Sequence, residues 1–140
     1  MNPLSENITK GTFGELLVQL RLLQYGVQAA PPLKDSGNNL VGVKGESFRA
    51  IQVKTRTGDR IQINDLPHLY HIIALVVLDP CGEGVTVSLD RCRVFLISRD
   101  EYERGINDFE EYEISQHRVD ELFSIQRPRF EMAKGGLTSG

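Results

Sequence analysis

From Ile72 to Leu78 the chain holds an unbroken apolar run, Ile-Ile-Ala-Leu-Val-Val-Leu, and this stretch constrains the fold more than any other. It is far shorter than the ~20 residues that cross a bilayer. Asp79, Pro80, Gly82 and Gly84 close it, so it reads as one buried strand of a sheet. No charged segment followed by an apolar one opens the chain, and a soluble cytoplasmic protein is the expected setting.

Further strands follow from alternation. Leu40–Val43 reads as a strand, Gly45 with Glu46 as a tight connection, and Phe48–Thr55 as its hairpin partner. The period of two puts Phe48, Ala50, Gln52 and Lys54 on one face and Ile51 and Val53 on the other. Val27–Ala30, Val85–Leu89 and Val94–Ile97 read as additional strands.

Helices are expected at three main places. Phe13, Leu16, Leu17, Leu20 and Leu23 recur at the three-and-four spacing of one helical face between about Ile8 and Tyr25, with Gly26 as the stop. Val18 and Leu22 form a second stripe together with Glu15 and Gly11. Gly11 and Gly14 each cost about 1 kcal/mol inside a helix. Either a neighbouring segment approaches closely there or the helix begins later. Arg99–Arg104 and Ser115–Phe123 read as short helices, the second capped by Ser115, and Asn64 or Asp65 is placed as the cap of another near Pro67–His71.

A length of 140 residues suffices for one core. The expected organisation is a single α/β domain over 1–126 and a flexible tail over 127–140, where Pro128 and paired glycines stand. The formal net charge is −3, but residues 1–60 carry eight basic and five acidic side chains, whereas 61–126 carry five and thirteen. Phosphate binding needs local positive potential rather than a basic whole protein, so this split permits nucleic acid without demanding it. Cys81 and Cys92 lack the spacing of a zinc site and read as free thiols. His68 and His71 lack a neighbouring third ligand and read as surface or packing residues.

Two features are unusual for a chain that merely folds. Glu15 shares a stripe with Val18 and Leu22, and Gln52 and Lys54 share a strand face with Phe48 and Ala50. Burying an isolated charge is costly, so Glu15 and Lys54 should pair or share a metal or phosphate. Asn39 opens the preceding strand and can stand beside Gln52 and Lys54 if the register allows.

Gly14-Glu15 on a helix, Asn39-Leu40-Val41 at a strand start and Gln52-Val53-Lys54 on the next strand resemble the signature of the PD-(D/E)xK nuclease-like superfamily. The likeness is to its small members related to Holliday-junction resolvases and to restriction and homing endonucleases, and it covers Gly11 to Thr55. It implies a restriction-endonuclease-like core, a central mixed β-sheet flanked by helices. It also implies a metal-dependent DNA endonuclease or resolvase-like enzyme that hydrolyses phosphodiester bonds as a homodimer. Glu15, Asn39 and Gln52 would then hold Mg²⁺, with Mn²⁺ as an alternative, and Lys54 would stabilise charge on the attacking water and phosphate.

Asn39 stands where that pattern has a metal-binding Asp, and Gln52 where it has Glu or Asp. Asp35, four residues before Asn39, is a substitute carboxylate on paper, although a loop carboxylate is ordinarily solvated. The alternative function is therefore a catalytically inactive nuclease-fold protein that binds nucleic acid or a protein partner. Lys34, Lys44, Arg56 and Arg60 flank the hairpin and either meet phosphates of DNA or serve as edge-strand charges that deter aggregation.

Overall fold

The computed structural model describes residues 6–33, 37, 39–57, 63–79 and 87–124. The expectations placed on Lys34, Asp35, Arg60, Cys81 and the tail 127–140 lie outside the described residues. Helix α1 spans Glu6–Gln24, and the strands are β1 (Gln28–Ala30), β2 (Leu40–Lys44), β3 (Ser47–Thr57), β4 (Ile72–Leu78) and β5 (Arg93–Ser98). Two short helices follow β5, α2 (Arg99–Glu103) and α3 (Gln116–Leu122). The strands form one five-stranded mixed sheet in the order β1-β2-β3-β4-β5, in which only β3 and β4 are parallel.

Local chemistry explains the boundaries. Gly26 adopts φ +83°, which only glycine takes without steric cost. The Val27 amide reaches the Leu22 carbonyl at 3.0 Å and the Gly26 amide that of Leu23 at 3.1 Å, the paired bonds of a Schellman stop. At the hairpin, Lys44 faces Ser47 and Gly45 takes φ +60°, as a two-residue turn with glycine first requires. Ser98 accepts from the Glu101 amide while the Glu101 carboxylate accepts from the Ser98 amide, a capping box that starts α2. Ser115 caps α3 as its position suggests.

Both faces of the sheet are covered. On one, Leu17, Val18 and Leu22 of α1 and Val119 of α3 pack with Leu40, Ile51, Val53, Val76 and Leu96. On the other, Ile73, Leu75, Phe95 and Ile97 are covered by Tyr70, Leu66, Tyr102 and Phe109. The α3 end is bound to the hairpin: Ser47 Oγ donates to the Phe123 carbonyl, Arg49 Nε to that of Leu122 and Arg49 Nη2 to that of Ser124. These bonds satisfy carbonyls that a helix end leaves without partners.

Three expectations need correction. The face of α1 that meets the sheet is Leu17, Val18 and Leu22, whereas Leu16, Leu20 and Leu23 are exposed. No helix forms over residues 63–71, and Asp65, expected as a cap, takes φ +56° instead of the extended conformation of a helix N-cap. The strand expected over Val85–Leu89 is reduced, within the described residues, to a single bridge at Val87, and Leu89–Arg91 is one 3-10 turn.

Candidate functional site

Glu15 is placed by a close helix–strand approach. A methyl group at Gly14 would lie 1.9 Å from Thr55 Oγ1, so the absence of a side chain there lets α1 settle onto β3. A methyl group at Gly11 would meet nothing within 4 Å from other elements among the described residues. Of the two readings of these glycines, the close approach holds for Gly14, and the helix begins before both. Glu15, half-buried one residue on, faces the start of β2.

There Asn39 bridges helix and sheet. Its Oδ1 accepts the Val53 amide at 2.8 Å, and its Nδ2 donates to Glu15 Oε1 at 3.1 Å. The amide orientation follows from chemistry: the Val53 N–H requires an acceptor, which only Oδ1 supplies, so the NH₂ group must face the carboxylate. The main chain of Asn39 is held too, its N–H donating to the Ile51 carbonyl at 3.2 Å.

Gln52 and Lys54 belong to the other side of the strand. Their parallel partners on β4 are Ile73 and Leu75, which lie in the second core cluster, while Ile51 and Val53 lie in the first with α1. Gln52 is 7% exposed, and its Oε1 is the one buried side-chain oxygen without a hydrogen-bond partner among the described residues. The Lys54 ammonium donates to the Asp65 carbonyl at 3.2 Å. Burial lowers the pKa of Lys54, Arg56 lowers it further, and the Asp65 carboxylate opposes both.

The four residues therefore form two pairs, Glu15 with Asn39 and Gln52 with Lys54. No hydrogen bond or ion pair joins one pair to the other among the described residues. Asp65 was missed as a neighbour of Lys54: Asn64-Asp65 is a turn signal, but nothing in it announces which strand the turn will touch. Lys44 forms an ion pair with Asp120 of α3. Seven residue steps along β3 lead from Ser47, its hairpin neighbour, to Lys54, which puts Lys44 about 20 Å from that end of β3. His71 packs as a structural residue, its Nδ1 accepting the Ala50 amide at 2.8 Å. Burial, then Arg49 and Arg99, lower its pKa.

The donor set does not fit a divalent cation. Mg²⁺ demands oxygen ligands near 2.0–2.1 Å in octahedral array. Here a donor group points at Glu15, the Asn39 oxygen is used by the main chain, and Gln52 faces away across the sheet. No group of three or more His, Cys, Asp or Glu among the described residues is arranged to hold a metal ion. No helix among them is long and apolar enough to cross a membrane. No family model, curated protein or solved structure matches the chain.

Proposed function

We propose that this chain is a nuclease-like domain that binds DNA without hydrolysing it, the second of the two functions its sequence suggests. The observation that carries this reading is the Asn39 amide. Both of its ends are used inside the protein, at the position where metal-dependent cleavage needs a free carboxylate. The DNA contact is assigned to the far end of β3, where Lys54 and Arg56 stand two residues apart on one face of the strand. Arg60 follows in the sequence.

Association into a homodimer belongs to the same reading. Leu16, Leu20 and Leu23 on α1 form an exposed apolar stripe, and Gln19, Gln28 and Ala29 beside it carry no charge, so two copies can meet there without like-charge repulsion. Strand-to-strand pairing at β1 is less favourable, because the Gln19 side chain already donates to the Ala29 carbonyl at 3.1 Å.

One observation favours the hydrolytic reading, a Lys54 of lowered pKa beside the unpartnered Gln52 Oε1. The two readings part in one experiment. Fluorescence anisotropy on linear and branched duplexes is run beside nicking of supercoiled DNA in Mg²⁺ or Mn²⁺, with wild type and Lys54→Ala. The expected result is binding weakened several-fold by Lys54→Ala and no nicking by either protein. Nicking by wild type that Lys54→Ala abolishes would instead establish the metal-dependent nuclease, and absence of binding to every DNA would remove the DNA reading.

A further inference from the structure

We propose that the Asn39 NH₂ group occupies the place of a divalent cation, as a fixed neutral bridge from Glu15 to the β2–β3 pair. The chain is consequently blind to Mg²⁺ and Mn²⁺ as it stands, and one substitution away from a metal-responsive centre. The inference rests on the nuclease-like reading of Glu15 and Asn39. Its test uses no DNA, so its failure is distinguishable from failure of DNA binding.

The geometry leaves the amide no freedom. Turning it over would set its NH₂ against the Val53 N–H and its oxygen against the Glu15 carboxylate, breaking bonds of 2.8 and 3.1 Å at once. In the observed orientation the partial positive charge of Nδ2–H lies on Glu15 Oε1, where a cation would otherwise be drawn. Glu15 and Asn39 thus satisfy each other, and a metal would have to break that bond before gaining any ligand.

Asn39→Asp keeps the shape and reverses this logic. One carboxylate oxygen still accepts the Val53 amide, but the other now faces Glu15 Oε1 across a hydrogen-bond separation. Two carboxylates that close repel strongly unless a proton or a cation lies between them. A divalent ion relieves that repulsion by supplying the missing positive charge.

Thermal unfolding and isothermal titration, run in chelator, Mg²⁺ and Mn²⁺, read the outcome on wild type, Asn39→Asp and the double variant Asn39→Asp/Glu15→Gln. Wild type is expected to show no heat of metal binding and a Tm unchanged to within ~1 °C. Asn39→Asp is expected to melt lower in chelator and to gain ~5 °C or more in saturating metal. The double variant, with a single carboxylate, is expected to lose that gain. If Asn39→Asp does not fold in chelator, metal-induced refolding read by circular dichroism is the same positive result. Glu15→Gln on the wild-type background keeps an oxygen for Asn39 Nδ2 and is expected to melt near wild type, whereas Glu15→Ala melts lower. A wild-type Tm raised by Mg²⁺ or Mn²⁺, a wild-type titration with one ion per chain, or an Asn39→Asp protein indifferent to metal would each overturn the proposal.

Discussion

Gly14 and Gly11 lie three residues apart on the same helix and invite opposite substitutions. At Gly14 an added methyl meets Thr55 Oγ1 at 1.9 Å and Thr55 Cβ at 3.1 Å, so rotating the threonine does not remove the clash and α1 must move off β3. Gly14→Ala is expected to destabilise by about 1–3 kcal/mol, the usual cost of overpacking. Removing the threonine hydroxyl and methyl in Gly14→Ala/Thr55→Ala should recover part of it. At Gly11 there is open space, and alanine there should stabilise by roughly 0.5–1 kcal/mol through helix propensity alone. Urea unfolding of the single and double variants measures both. Equal effects at the two glycines would contradict the close approach that sets Glu15 against Asn39.

The short helices α2 and α3 depend on shared side chains, because helices of their length are not stable alone. Arg118 of α3 is buried, donates Nε to the Leu96 carbonyl of β5 at 3.0 Å, lies over the Tyr112 ring at 5.0 Å and forms an ion pair with Glu101 of α2. Burial pushes the Glu101 carboxyl up, but the Arg118 guanidinium and the Ser98 amide and hydroxyl outweigh it and hold the pKa below the ordinary value. The sign follows: this contribution to stability is complete above the unfolded carboxyl pKa and is lost as pH falls through the lowered folded value. Arg118→Met leaves Glu101 unpaired and should cost about 3 kcal/mol, with Arg118→Met/Glu101→Gln recovering part of it at neutral pH. Additive losses in the double variant, measured by denaturant unfolding, would show that the pair is not coupled. Elements of this kind were legible where local chemistry decides them: the apolar run of β4, the hairpin around Gly45 and the cap Ser115. The inward face of α1 was not, because Leu16, Leu20 and Leu23 are as apolar as Leu17, Val18 and Leu22, and the contact of Gly14 with Thr55 makes the choice. The crossover from β3 to β4 was misread for a similar reason, since Asp65 in a left-handed conformation looks in sequence like a helix cap.

Across the whole molecule, the polar residues of the centre were visible as a set, but their division between two sheet faces was not. That division depends on the β3–β4 register, in which Gln52 and Lys54 lie beside Ile73 and Leu75 rather than under α1. Charge obeys the same distinction between composition and place. The chain is net −3 and so gains nothing from its overall charge when it approaches DNA. Any affinity must come from a few local cations, and each phosphate contact on duplex DNA contributes about 0.9 to the slope of log K against log salt. The ion pair of Lys44 with Asp120 removes it from that group. Anisotropy titrations from about 50 to 200 mM salt are therefore expected to give a shallow slope, made shallower by about one unit in Lys54→Ala and left unchanged in Lys44→Ala. Equal losses from the two substitutions would mean that DNA contacts the protein diffusely over the hairpin, and the assignment of the contact to the Lys54 end of β3 would fall.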